Sequence, residues 1–542
     1  MQFIYFYLIS YSIIGYGIMV SNFLNIKKND FGYLGILGLT FFLLISFISS
    51  LIINHGYYFN LSVLIIGLVI FFIYKHKITN FKNNFLVHFL IFFFLLLFIA
   101  VGKNHDDFPY YHFPYISVLT EFSHPFGFGV LNNGFRSPSS IFFIGSMFYL
   151  PGTGIYLFHI TPALILGFAN LVLLQSIFNR KEFEQFKFNN FISLISFIFI
   201  NIFFYRLSEH GTDRSGMILV IVSVILFLKV INFKGISHTS DIKILIIILC
   251  FAVTLKPFYL INIPLIFLLL IYQNTRSIFL NLFFSKTFWY CGLLIFFIIF
   301  YTFINSGCLF FPLNSTCFGN LPWSLDKTLI NETKIWFELW SKAGASPNYI
   351  VDDRLFYISD LNWLRNWIDN YFFNKVSDYL LSLIFLLLIL LVLFKNNQEK
   401  NNNINNINFF YLYLFLIVFL IEWFSNHPTL RYGGYHLIYL CIFIPFSIYL
   451  NKKDIDFEIF KRKALLLIII SAVIFSYRNF DRLYFEYNNY DYNPLVSLNY
   501  RFIGGDEKFY FRYNSRLKKK YKNYNSFQFL NKNFIYLNRE NY

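Results

Sequence analysis

Two adjacent carboxylates flanked by histidines stand at the edge of an apolar run, in the segment His105-Asp-Asp-Phe-Pro-Tyr-Tyr-His112. The run before it, from Phe85 to Val101, has the length and composition of a membrane helix. Ionisable groups at such a lip are costly to hold in lipid, so they must meet water, protein or a substrate. The residue types suit acid/base chemistry at a membrane surface. One of Asp106 and Asp107 can accept a proton from an attacking hydroxyl or amine, while the other tunes its pKa or holds a divalent cation. His105 and His112 are further candidate proton carriers. A simpler alternative is that the two aspartates cap a helix begun near Pro109.

Four more polar constellations sit in short breaks between apolar runs. Gly129-Val-Leu-Asn-Asn-Gly-Phe-Arg136 places an arginine in a Gly/Asn loop, suited either to a phosphate or to a salt bridge with Asp106 or Asp107. Glu209, His210, Asp213 and Arg214 form a second acidic and basic cluster, either a solvated turn or a source of substrate contacts. Lys256 precedes Pro257 between two apolar segments, and Arg431 lies between Pro428 and Gly433-Gly434. A cation in so short a loop is expected to meet an anion. The candidate set is therefore Asp106, Asp107, His105 and His112 for catalysis, with Arg136, Glu209, Asp213, Lys256 and Arg431 for binding.

The elements that must position these groups are membrane helices. The chain has 542 residues, 57% of them hydrophobic and 13% charged, with a mean hydropathy of +0.56. Fourteen apolar stretches (12 to 14 spans) are predicted, near 3–23, 34–53, 61–74, 85–101, 153–177, 190–205, 216–232, 243–255, 258–272, 288–304, 377–394, 408–424, 435–450 and 463–476. The first begins Met-Gln-Phe-Ile-Tyr-Phe-Tyr-Leu without a basic lead, and is expected to be retained as a helix. The predicted fold is an all-α polytopic membrane protein with six parts: a four-helix segment 1–101, an acidic outer loop with an interfacial helix 102–152, central helices 153–304, a large loop 305–376, C-terminal helices 377–477 and a polar basic tail 478–542.

Charge orients the bundle. One alternating set of loops holds 20 basic residues, among them Lys27, Lys28, Lys75, Lys77, Arg180, Lys181, Lys229, Lys452 and Lys453. The short loops of the other set hold only Lys103, Arg136, Arg206, Arg214, Lys256 and Arg431. The positive-inside rule makes the first set cytoplasmic and puts every polar constellation on the outer face of a plasma (inner) membrane. The net charge of +16 follows this loop pattern, so nucleic acid is not an expected partner; the lipid bilayer is. Cys308 and Cys317 share the large outer loop and are expected to pair in an oxidising compartment. The five tryptophans of that loop either stack on sugars or form an interfacial belt. A P-loop, HExxH, a nucleophile elbow and CxxC are all missing from the sequence, which disfavours ATP-driven transport and metalloprotease chemistry.

The arrangement resembles the GT-C superfamily of membrane glycosyltransferases, in which an acidic pair follows an early helix in a large outer loop. More specifically it resembles an uncharacterised bacterial family of GT-C-like proteins through HDDFPYYH, GVLNNGFRSPSS, SEHGTDRSG, TLKPFYL, SGCLFFP with TCF and LPWS, and HPTLRYGG, over roughly 100–440. The resemblance implies a polyprenyl-phosphate-linked sugar donor and a periplasmic site. It makes Asp106 or Asp107 the catalytic carboxylate and Arg136, Lys256 and Arg431 ligands of the donor phosphate. Better-known members have one span before the acidic loop, whereas this chain has three or four. A transporter or flippase of an envelope component, an envelope-polymer polymerase or ligase, and a non-catalytic structural protein are the rival readings.

Overall fold

The computed structural model describes residues 1–101, 107–206, 211–232, 238–346, 351–395, 409–495, 525–529 and 532–537. Apolar runs become helices because a backbone in lipid must satisfy its own hydrogen bonds. Among the described residues, eight helices are long and apolar enough to cross a membrane: Gln2–Phe23, Phe31–Ser50, Tyr57–Lys77, Phe81–Ala100, Gly211–Asn232, Lys286–Ser306, Leu364–Leu393 and Gly434–Asn451. The other six predicted stretches fall on shorter or differently built elements. Thr161–Ile177, Phe188–Phe203, Thr239–Leu255 and Phe410–Asn426 have 16 or 17 residues. The stretch at 258–272 is broken into short helical turns, and that at 463–476 lies inside the 34-residue helix Phe457–Tyr490.

Helix Thr161–Ile177 is central. It packs on Phe31–Ser50, Phe81–Ala100, Phe188–Phe203 and Gly211–Asn232. Glycines allow the first three helices to touch backbone to backbone. A Cβ on Gly17 would lie 1.8 Å from the Leu34 carbonyl oxygen, and one on Gly38 equally close to that of Ile13. This is the small-residue packing that membrane helices use in place of a hydrophobic drive.

Hydrogen bonds and ion pairs sort the loops into the two sets that charge predicted. At one end Lys28 pairs with Asp241, Lys229 with Glu182, and Lys187 Nζ reaches the Ile455 carbonyl at 2.7 Å. At the other, Gly127 N bonds the Ile304 carbonyl at 2.6 Å, and Trp367 Nε1 the Pro428 carbonyl at 2.8 Å. A reporter fused after Lys187 and one fused near Ser346 are expected to read opposite sides of the membrane. The same side from both would refute the arrangement.

Two features depart from expectation. The segment after Ser139 is expected to be an interfacial helix or a half-helix packed over the outer mouth; helix Ser140–Ser146 is short and buried along its whole length, against Phe31–Ser50 and Phe113–Glu121, which excludes the interfacial form. The loop 305–376 is largely helical, with Lys327–Lys342 at its centre and the last outer helix already running from Leu364. The polar tail carries two structured pieces. Helix Phe457–Tyr490 runs into it, and Asn525–Phe529 pairs antiparallel with Lys532–Tyr536. Apart from this short hairpin, the elements formed by the described residues are helical, as the all-α expectation has it. Leu537 N bonds the Phe126 carbonyl at 3.0 Å and Tyr492 Oη the Ala100 carbonyl at 2.8 Å, so both contacts sit at the end that carries the acidic loop.

Candidate functional site

Phe81–Ala100 ends at Val101, and the described chain resumes at Asp107. Phe108–His112 then forms a wide π-type turn leading into Phe113–Glu121. Asp107 occupies the cap position of that turn, yet its carboxylate makes no capping bond. It accepts 2.7 Å from Arg431 Nη2 instead. Helix capping therefore does not account for this aspartate. Tyr111 lies beside it, half-buried, its phenol pushed up by burial and by the neighbouring Asp107 charge. Tyr111 fits because Gly134 has no side chain; a Cβ there would come 2.3 Å from its ring.

Asp213 stands in the first turn of helix Gly211–Asn232, where the helix dipole favours a carboxylate. It is not in a solvated turn, because its side chain is 2% exposed. Lys256 Nζ bonds one carboxylate oxygen, and Arg431 Nε donates 2.6 Å to the other. Lys256 reaches it because Pro257 disfavours helical backbone in the residue before it. The chain there is extended, at φ −157°, and helix Thr239–Leu255 stops. Tyr259, one short turn on, donates its hydroxyl to the Asp213 carbonyl. Its ring lies against Gly216, where a Cβ would sit 2.1 Å from it. Gly216→Ala is expected to force Tyr259 out and to cost about 1–3 kcal/mol, read as a lower midpoint of thermal unfolding. An unchanged midpoint would mean the ring has room to move.

Arg431 sits in the turn Leu430–Tyr432, and three aromatic side chains fix this loop by hydrogen bonds. Trp367 Nε1 bonds the Pro428 carbonyl at 2.8 Å, Trp423 Nε1 the Thr429 carbonyl at 2.8 Å, and Leu430 N donates 3.0 Å to Tyr371 Oη. Gly433 closes the loop at φ +105°, a conformation that favours glycine. The Arg431 guanidinium lies 5.7 Å from the Trp340 ring, and Lys256 Nζ 4.3 Å from the Tyr432 ring. Burial works against the Arg431 cation, but Asp213 and Asp107 outweigh it and hold its pKa well above the ordinary arginine value. Burial likewise lowers the His427 imidazole at the head of this loop, with Lys256 and Lys342 adding to that and Glu338 opposing.

The result is a neutral cluster of two carboxylates and two cations, drawn from four separate parts of the chain. The buried Asp213 forms its floor. Arg431 and Lys256 use three of their eight N–H donors on the carboxylates, leaving five for another anion. Both cations are about one quarter exposed, so those donors are reachable.

Arg136 does not join the cluster. Its Nη1 donates 2.8 Å to Thr333 Oγ1 and its Nε 3.4 Å to the Gly129 carbonyl, with Phe311 packed 5.8 Å from the guanidinium. It ties the acidic loop to the large one, and among the described residues it forms no ion pair with Asp107. Burial lowers its pKa to about 10. His112 packs its ring among Tyr111 and Phe142, at 4.4 and 5.0 Å. His105, Asp106 and Glu209 lie outside the described residues. Cys308 and Cys317 form a disulfide that closes the base of the large loop. Trp363 and Trp367 are buried packing residues, whereas Trp340 belongs to the site.

Sequence reading did not single out Tyr259 and Tyr432 as site neighbours, nor His436. The last is fully buried beside Tyr259, at 6.2 Å between rings, and neither ring nitrogen has a hydrogen-bond partner among the described residues. A histidine just inside an apolar run was the available signal. Among the described residues no three His, Cys, Asp or Glu side chains converge as a metal site.

No curated protein and no solved structure matches the chain. Residues 1–439 match the family model described as Domain of unknown function (DUF8201), which takes in every member of the cluster, from Asp107 to Arg431. The chain belongs to that family.

Proposed function

We propose that this protein is a membrane glycosyltransferase of GT-C type that takes a polyprenyl-phosphate-linked sugar at the periplasmic face of the inner membrane, for envelope polysaccharide or lipid modification. The observation that carries this reading is Arg431, clamped between Asp107 and Asp213 with Lys256 beside it. A lipid phosphate arriving at the bundle end competes with Asp107 for the guanidinium. Asp213 is the less displaceable partner, being buried and doubly bonded. Displacement frees the Asp107 carboxylate where the acceptor hydroxyl or amine must lose its proton. Donor binding and base release are thereby one event, and departure of the lipid phosphate resets the pair.

Arg431→Lys tests the clamp. A lysine keeps the charge but cannot bridge two carboxylates and a phosphate. Losing a charge-assisted bond costs about 1.5–3 kcal/mol, so binding of a polyprenyl phosphate, followed by native mass spectrometry, is expected to weaken roughly ten- to a hundredfold. Equal affinities would move the phosphate site elsewhere.

A transporter or flippase of an envelope component is the second reading. It is favoured by the break at Lys256, after which the chain runs through short helical turns at a charged cluster. Uptake of a labelled polyprenyl-phosphate lipid across a vesicle bilayer without sugar release would favour it over the transferase.

A further inference from the structure

At the end of the bundle opposite the Arg431 cluster lies a cavity of about 320 Å³. It opens where helices Phe31–Ser50, Thr161–Ile177 and Gly211–Asn232 end, among the basic loops. Lys27, Lys28 and Lys229 line it together with Asp30, Asn179 and Glu182. Its inner wall, Val172 and Ile225 among others, is apolar.

Most of the polar groups already have partners. Asp30 Oδ1 accepts 3.0 Å from Thr79 Oγ1, and Asn179 Oδ1 accepts 3.3 Å from Glu182 N. Lys28 pairs with Asp241 and lies 4.3 Å from the Tyr33 ring. Lys229 pairs with Glu182 Oε1. The exception is Glu182 Oε2. This residue is 7% exposed, and that oxygen is buried with no hydrogen-bond partner among the described residues. Glu182 lines the cavity, and a buried carboxylate oxygen on a lining residue needs a donor. Each lysine has three N–H donors and spends one or none on a carboxylate, so the same wall offers donors to an acceptor.

We propose that this cavity is a second ligand site, taking a zwitterion that carries an amine and a phosphate, of the phosphoethanolamine kind. The amine meets Glu182 Oε2. The phosphate meets Lys27 and Lys28, the former exposed and without a carboxylate partner among the described residues. A purely anionic ligand fits less well, since it must approach Asp30 and Glu182 without neutralising either. The volume lies at the small end of ligand pockets, so it admits a headgroup and excludes acyl chains. The group belongs either to a membrane phospholipid, with its chains outside the cavity, or to a free aminoalkyl phosphate. The inference is independent of the transferase reading, because it uses none of the same residues and lies at the other end of the molecule.

The test measures binding to the full-length protein in a nonionic detergent by native mass spectrometry. The probes are dioctanoyl phosphatidylethanolamine, dioctanoyl phosphatidylglycerol, O-phosphoethanolamine and inorganic phosphate. Wild type is expected to prefer the ethanolamine lipid to the glycerol lipid at least tenfold, and Glu182→Gln to abolish that preference. Glutamine keeps an oxygen on Lys229, and an unchanged melting curve reports that the fold survives. Lys27→Gln, at an exposed position, is expected to weaken both lipids several-fold and serves where Glu182→Gln does not fold. O-phosphoethanolamine binding as tightly as its lipid makes the ligand a soluble one; binding of the lipid alone makes it a headgroup. Equal affinity for the two lipids in wild type, a preference that survives Glu182→Gln, or binding indifferent to Lys27→Gln overturns the proposal.

Discussion

Asp213→Asn is expected to lower the stability of the protein by on the order of 3 kcal/mol, the scale for breaking a buried ion pair by removing one partner. The carboxylate is almost wholly buried, and its two oxygens are divided between Lys256 and Arg431. An asparagine of the same shape leaves one oxygen and no charge. Two cations then face each other across a neutral group, with only Asp107 left to balance Arg431. Lys256, whose ammonium burial already lowers and Asp213 restores in part, loses its ion pair. The double variant Asp213→Asn with Lys256→Met is expected to recover much of the loss, because it removes the stranded cation as well as its partner. Thermal and denaturant unfolding in detergent would measure both. A loss under about 0.5 kcal/mol in the single variant would show that water satisfies the cations and that the cluster is solvated.

How much of this was legible in the sequence depended on whether the signal was local. Asp107, Asp213, Lys256 and Arg431 all stood out for one reason: an ionisable group at the end of an apolar helix is costly unless it meets something. Charge alternation then assigned all four to one end, and the structure brings them together there. Arg136 looked equally good by the same reasoning. What distinguishes it is its partner, Thr333, almost two hundred residues away, and no local pattern encodes that. Trp340 was legible as one of several loop tryptophans, but its role comes from the loop packing that sets it over Arg431. The two short apolar stretches at 243–255 and 258–272 read as one bent helix or a re-entrant pair, and hydropathy alone did not give the short helical turns that follow Lys256, which are equally apolar. It also started the last outer helix late, because Asp369, Asn370 and Lys375 interrupt the apolar run without interrupting the helix.

Asp107→Asn is expected to reduce turnover by roughly 10² or more, the scale of lost general-base assistance. Turnover here means sugar release from a polyprenyl-phosphate donor. Asparagine still offers an oxygen to Arg431 Nη2, so the loop has no reason to move. The Asp107 carboxylate is about one quarter exposed, where removing one side of an ion pair costs at most about 1 kcal/mol. Stability and activity should therefore separate: a large loss of rate, a small loss of melting temperature. Donor affinity should hold or improve, because the proposed phosphate no longer competes with a charged Asp107 for the guanidinium. That combination, slower chemistry with equal or tighter donor binding, is specific to a base that the donor must displace. If Asp107 only positioned Arg431, donor affinity and rate would fall together. If the neighbouring Asp106 were the base, Asp106→Asn would take the hundredfold loss and Asp107→Asn would turn over like wild type.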